Sequence, residues 1–332
     1  MTTPTYDVVA VGNAIIDILK AVPDSFLASE GIAKAGMTLI DEPRADHLTA
    51  AFGEDAVTAA GGSAANTMTG VASFGGKAGY IGKVAQDALG ARFTQEFRAA
   101  GVTFDSAPRA LPPGTARCLI AVTPAGQRSM STYLGASTML APEDLDADLI
   151  RAGQTLFLEG YLFDRDEAKA AFVRAAEIAR SAGRKVALTL SDTFCVERHR
   201  DSFRHLVAGH VDILFANEAE ILSLYEAKDL HAALEAAHKA CPLVAVTRSE
   251  KGSLIAEGEQ RVEVAPISTT VVDTTGAGDL YAAGFLFAHA RGRTLPECGA
   301  LASLAAAEGI SHMGPRPETN LRALALSRGF RV

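Results

Sequence analysis

The sequence predicts an α/β protein: a doubly wound, largely parallel sheet flanked by helices, with a small β-sheet standing off it as a lid. Two observations carry that prediction. From Thr155 onwards, short apolar runs alternate with amphipathic stretches, and repeated βα units close into a parallel sheet. Before Ile40, and again around 114–135, β-like runs occur with no helix to follow them, so they belong to a second sheet.

The elements follow in order. Tyr6–Val11 is a β-rich run ending at Gly12-Asn13, and Ile15–Val22 and Gly36–Ile40 read as further strands. Gly61-Gly62 precedes a small-residue helix over Ser63–Phe74. Gly79–Val84 reads as a strand and Asp87–Ala100 as an amphipathic helix. Ala116–Val122 and Arg128–Leu134 flank Thr123-Pro124-Ala125-Gly126, a hairpin signal. Strands at Thr155–Leu158, Lys185–Leu190, Val211–Phe215 and Leu243–Val246 then alternate with helices at Asp166–Ala182, Glu197–Ala208 and Asn217–Tyr225. A hairpin at Ser253–Val264 follows, then two helices beyond residue 279 and a last one over Asn320–Ser327. No repeat or flexible linker divides the chain, so 1–332 is expected to be one domain, its lid built from insertions around 13–22, 36–41 and 114–135.

Composition narrows the function. A net charge of −8, with no long basic run, argues against nucleic acid as the main partner. An anionic substrate must then be met by backbone N–H groups and a few arginines. Cys118, Cys195, Cys241 and Cys298 lack C-x-x-C spacing and read as buried thiols. His199, His205, His231 and His238 have no partner at metal-ligand spacing, and Glu143, Asp144, Asp146 and Asp148 read as a solvated helix start. No apolar stretch approaches the ~18–20 residues of a membrane span, so a cytoplasmic protein, monomer or homodimer, is expected.

The richest stretch is Asp273-Thr274-Thr275-Gly276-Ala277-Gly278-Asp279. Val271-Val272 reads as the tail of a strand, the small residues as a tight turn, and Asp279 as the start of a helix running from Leu280 to Arg291. Such a turn aims N–H groups at one point on the positive end of a helix dipole, which suits an anion. A carboxylate beside an anion site is repulsive for simple binding. It makes sense where Asp279 holds a substrate hydroxyl while the N–H groups stabilise a phosphoryl group in transfer. Two other phosphate motifs fail: Gly75-Gly76-Lys77 has Val71 and Ala78 where a P-loop needs Gly and Ser/Thr, and Gly12-Asn13-Ala14-Ile15 is not G-x-G-x-x-G.

Residue for residue, Asp273–Asp279 resembles the D-T-x-G-A-G-D signature of the ribokinase-like (PfkB) carbohydrate and nucleoside kinases. The resemblance runs over nearly the whole chain. It implies that Asp279 is the catalytic base and that Gly276, Ala277 and Gly278 form the anion hole. A carboxylate at a helix start is expected to stay ionised at pH 7. Gly61-Gly62-Ser63-Ala64-Ala65-Asn66, with Gly82-Lys83 and Asp87, resembles the N-terminal signature, so Gly61, Gly62, Ser63 and Asn66, with Asn13 and Asp17, are expected to hold the acceptor. Asn217-Glu218-Ala219-Glu220 matches N-x-x-E, which implies that Asn217 and Glu220 organise Mg²⁺ and phosphates through water.

Thr247 and Gly252 match the ATP-binding stretch, in which Ser249 replaces a common glycine, and the segment from Ala305 to Pro317, with His312, resembles the part that lines adenine. Asp273 and Thr275 match positions near a potassium site in many relatives. Arg128, on the lid, matches an arginine that approaches the transferring phosphate.

Substrate details lean towards the adenosine kinases of the family. Val11–Ile18 is similar to their G-N-x-L-L-D-I opening, Gly36–Asp41 within the long insert Phe26–Glu42 to their lid segment, and Leu190–Phe194 to L-S-x-P-F, with Thr193 in place of proline. The resemblance implies transfer of the ATP γ-phosphoryl to the 5′-hydroxyl of adenosine, a purine-salvage reaction. A sugar kinase acting on ribose, fructose or a ketodeoxy sugar is the alternative, and a non-catalytic nucleoside- or sugar-binding relative a remote one. Phe163 is the expected stacking partner for the base.

Overall fold

A computed structural model of the protein describes residues 3–332, with the side chains of Phe163 and Asp164 outside the description, so the stacking role expected of Phe163 lies outside the described residues. The strands are β1 (Tyr6–Val11), β2 (Ile15–Ala21), β3 (Met37–Leu39), β4 (Val57–Gly61), β5 (Ala78–Ile81), β6 (Val102–Phe104), β7 (Ala116–Val122), β8 (Arg128–Tyr133), β9 (Gly153–Glu159), β10 (Lys185–Thr189), β11 (Ile213–Asn217), β12 (Leu243–Thr247), β13 (Ser253–Glu257) and β14 (Gln260–Val264). Among the described residues they form a nine-stranded sheet in the order β14-β13-β12-β11-β10-β9-β1-β5-β6 and a five-stranded sheet in the order β3-β8-β7-β2-β4. From β12 to β6 the large sheet is parallel; β13 and β14 close its edge as the expected antiparallel hairpin.

The parallel strands are continuous apolar runs because both faces are covered. Val8 and Ala10 of β1 pack into one core while Val9 and Val11 pack into the other, and Phe157 faces away from Leu156 and Leu158 in β9. The helices are α1 (Asp24–Ser29), α2 (Glu42–Phe52), α3 (Ser63–Ser73), α4 (Ala88–Ala99), α5 (Ala147–Ala152), α6 (Asp166–Ser181), α7 (Thr193–His210), α8 (Glu218–Tyr225), α9 (Leu230–Ala240), α10 (Ala277–Ala290), α11 (Leu295–Gly309) and α12 (Leu321–Ser327). In α6, Ala168, Ala171, Phe172, Ala175, Ala176 and Ala179 fall at helical spacing and are buried against one face of the sheet. On the other face lies α10, apolar nearly all round and covered by α3 and α11. Asp87 caps α4 by accepting from Gly90 N–H at 2.7 Å, and also accepts from the N–H and hydroxyl of Thr115, which ties the helix to the approach of the small sheet.

The small sheet contains the three expected segments and, in addition, β4, which pairs antiparallel with β2 and brings Gly61 opposite Ile15. Val-Thr-Ala-Ala-Gly has little strand character of its own; pairing with β2 makes it a strand. One reading is corrected. Val271 and Val272 are not the tail of a strand: they lie outside both sheets and are largely exposed, with Val272 N–H bonded to the carbonyl of Ile310. The loop from Ala265 to Thr275 therefore reaches α10 across the ends of the parallel strands. Asp146, from the acidic cluster, caps α5, and Asp144 pairs with Lys83. Among the described residues no helix is long and apolar enough to cross a membrane.

Candidate active site

β1 is flanked by β9 and β5, so the chain order reverses there, and the crevice outside the carboxyl ends of the parallel strands opens at that point. A cavity of about 1180 Å³ follows these strand ends from the small sheet to β12. Asn13 leaves β1, Glu159 ends β9, Asn217 ends β11 and Thr247 ends β12, and all four line the cavity.

The Asp273–Asp279 segment forms the middle of its wall. Gly276 precedes α10 at φ 76°, in the left-handed region, and a Cβ there would stand 2.6 Å from Pro315 Cβ, so glycine alone fits. Thr275, Gly276, Ala277 and Gly278 line the cavity at the positive end of α10, with open space beside Gly278. Asp279, in the first turn, is held by both carboxylate oxygens. Ser63 Oγ donates to Oδ1 at 2.6 Å and Asn66 Nδ2 donates to Oδ2 at 3.0 Å. Burial raises its carboxyl to about 6, while those two hydrogen bonds pull it down. The acid thus remains mostly ionised at pH 7, although burial erodes the low pKa expected of a helix start.

Asp17 lies on β2 at the small-sheet end. Burial lifts its carboxyl to about 7, opposed by the positive charges of Arg316 and Arg128 and reinforced by Asp279. Gly61 packs against it, so closely that a Cβ at 61 would collide with the Asp17 carboxylate. Asn13 is fully buried. Its Nδ2 donates to Glu159 Oε1 at 2.7 Å and its carbonyl accepts from Tyr80 Oη at 2.8 Å, while Oδ1 is buried without a partner. Glu159 also accepts from Ala64 N–H at 2.7 Å, and burial raises it to about 7. Glu159 so joins β9 to the start of α3 and sets Asn13 between them. Nothing in the sequence singles Glu159 out, because a lone acid at a strand end carries no local signal.

Asn217 and Glu220 form a reciprocal cap at α8: Asn217 N–H and Nδ2 donate to Glu220 at 2.9 and 2.7 Å, and Glu220 N–H donates to Asn217 Oδ1 at 2.8 Å. Burial pushes Glu220 to about 7, and the negative charges of Asp192 and Asp279 push in the same direction. A hydrated divalent cation among these separated carboxylates fits, because it would relieve their repulsion; among the described residues no cluster of three or more His, Cys, Asp or Glu could ligate one directly. Thr247, Ser249 and Gly252 line the same end. Ser249 adopts φ 51°, which is the physical reason that glycine suits that position.

His312 and Arg128 are turned towards partners within the chain. His312 is not among the lining residues; its ring lies 3.3 Å from Glu308 Oε2 and near Glu318. Arg128 forms a buried ion pair with Asp273 and donates to Thr275 Oγ1 at 3.2 Å. Asp273 also accepts from Thr275 N–H at 3.1 Å and Gly314 N–H at 2.8 Å. Both its oxygens are engaged by the chain itself, and the positive charge beside it is that of Arg128.

The fold that sets this buried acid beside an N–H cradle has known relatives. Residues 31–320 match the model of the pfkB family carbohydrate kinases. An adenosine kinase from Sinorhizobium meliloti is 50% identical over 97% of this chain and 99% of its own, with a TM-score of 0.91. A probable sugar kinase from Rhizobium etli is 48% identical over 98% and 99% of the two chains, with a TM-score of 0.92. The adenosine kinase of Saccharomyces cerevisiae is 28% identical over 95% of this chain and 97% of its own.

Proposed function

This chain belongs to the pfkB family of carbohydrate kinases, and we propose that the alcohol it phosphorylates is the 5′-hydroxyl of adenosine. Its fold is ribokinase-like and it is an ATP-dependent phosphotransferase.

The observation that carries the substrate assignment is the chemistry of the acceptor lobe. Beside the polar trio Asn13, Asp17 and Asn66, the lobe is walled by apolar side chains of the small sheet: Ile15, Met37, Leu39, Ile120, Met130 and Leu134. Phe194 faces them from the start of α7, half exposed, with the Arg198 guanidinium 4.3 Å from its ring centroid. A free sugar has hydroxyls on every side and would leave such a wall unsatisfied, whereas a nucleoside offers a diol to Asp17 and a flat base to the apolar side. The unpartnered Asn13 Oδ1 suits a ribose hydroxyl as donor.

In this reading the acceptor hydroxyl donates to Asp279, which takes its proton as phosphoryl transfer proceeds. The N–H groups at Gly276, Ala277 and Gly278 stabilise charge on the transferring group. Arg128, one hydrogen bond from Thr275 at the edge of that cradle, adds its charge once its Asp273 pairing gives way. ATP occupies the other lobe, between Asn217, Thr247 and Gly252 on one side and Ala306, Ala307 and Ile310 on the other. Glu220 and Asn217 would hold a magnesium ion through its water shell, and that ion would supply charge neutralisation on the phosphates. The small sheet acts as a lid that keeps water from the phosphoryl group.

A coupled ADP-release assay against adenosine, other nucleosides, ribose, fructose and ketodeoxy sugars tests the assignment. Adenosine is expected to give the highest kcat/KM by ~10²-fold or more, because the free sugars leave the apolar wall empty. A free sugar turned over as well as adenosine refutes it.

A further inference from the structure

Arg316, in the loop between α11 and α12, is absent from the cavity lining, yet it touches Asn66, which lines it. Its Nε donates to Asn66 Oδ1 at 3.5 Å, and Asn66 Nδ2 in turn donates to Asp279 Oδ2 at 3.0 Å. Its guanidinium stands 5.8 Å from the centroid of the Phe97 ring, and its Nη2 is buried without a hydrogen-bond partner. An arginine that served packing alone would turn its donors towards carbonyls, since a buried N–H left unmade is costly.

An amide has a donating and an accepting end, and rotation exchanges them. With a cation behind it and a carboxylate in front, only one orientation satisfies both. The same guanidinium is the strongest positive influence on Asp17, ahead of Arg128. We infer that Arg316 is a positioning residue of the acceptor site, fixing the Asn66 amide so that it donates to Asp279. This rests on the acceptor-site reading above.

The charged and titratable neighbours are few. Asp17 is faced by Arg316, Arg128 from β8, Asp279 from α10 and Cys118 from β7. Arg316 is faced by Asp17, Glu96 from α4 and Tyr80 from β5. Glu96 already accepts from Ala60 N–H at 2.7 Å and pairs with Arg92, which leaves Asp17 as the acid that responds to a loss of charge at 316.

The test compares wild type, Arg316→Gln, Arg316→Lys and Asn66→Ala in steady-state kinetics from pH 6 to 9, with melting curves alongside. Arg316→Gln is expected to shift the pH at which acceptor KM begins to climb upwards by about one unit, a roughly tenfold rise in KM near pH 7. It should also lower kcat several-fold. Arg316→Lys keeps the charge and loses the planar donor, so it should restore the pH profile of KM without restoring kcat. In the Asn66→Ala background, Arg316→Lys should lower kcat no further.

A lower melting temperature with the wild-type pH profile would reduce Arg316 to a packing residue. Should Arg316→Gln not fold, Arg316→Lys with wild-type kcat and KM throughout overturns the proposal by itself. The acceptor screen on wild type comes first. Failure with adenosine alone refutes the substrate assignment, and the variants are then compared on the acceptor that does turn over; a protein that phosphorylates none refutes both.

Discussion

Asp279 has opposing demands on it: burial strips water from its charge, while Ser63 and Asn66 give back hydrogen bonds to both oxygens. A base near 6 is better matched to proton transfer at neutral pH than an ordinary aspartate, and still ionised there. Asp279→Asn is therefore expected to keep nucleoside binding and lose roughly 10²–10⁴-fold in kcat. In wild type, kcat/KM should fall as the pH drops through about 7 to 6, where Asp17 and then Asp279 take up protons. Binding measured by calorimetry and a pH–rate profile check both; undiminished turnover in the Asp279→Asn variant removes Asp279 as the base. At this scale the sequence was most legible where the chemistry is contiguous. Seven consecutive residues spell out an acid and an anion cradle. Glu159 and Arg316 stayed hidden because their partners are 146 and 250 residues away.

Between elements, the Arg128–Asp273 pair links β8 of the small sheet to the loop that feeds α10. Both side chains are nearly buried, with 9% and 5% of their surface exposed. Removing either partner strands the other charge, so Arg128→Met and Asp273→Asn should each cost about 3–5 kcal/mol of stability. The double variant should cost clearly less than the sum, as denaturant melts of the four proteins would reveal. Strict additivity would mean that the pair does not couple the two elements. Most long elements were readable, α6 from its helical period and α10 from the apolar run that follows the glycine turn. β4 and the loop from Ala265 to Thr275 were not. Val57–Gly61 becomes a strand only through its partner β2, whereas Val271-Val272 looks like a strand and finds no partner.

For the molecule as a whole, the cavity concentrates groups that resist ionisation. Asp17, Glu159 and Glu220 are raised to about 7 and Asp279 to about 6, in each case chiefly by burial. A carboxyl whose pKa is higher in the folded state binds its proton there more tightly, so it stabilises fully below about pH 4 and progressively less as the pH rises to 7. The unliganded protein should accordingly melt at a lower temperature at pH 8 than at pH 5.5. His289, whose pKa burial lowers, acts the other way but is a single group. Glu159→Gln should flatten the trend, and thermal melts across pH that show no such slope would contradict the burial argument.

The sequence by itself determined the reaction class, because an N–H cradle and an acid at a helix start are local features that seven adjacent residues can encode. It also determined the layered α/β plan, since hydrophobic period and strand–helix rhythm are local as well. Only the tertiary structure decided how the acid is tuned and what faces it. Those depend on β1 lying between β9 and β5, on β4 closing against β2, and on the loop after α11 folding back behind α3. Desolvation, charge coupling and hydrogen bonding act through distance in space, which no spacing along the chain records.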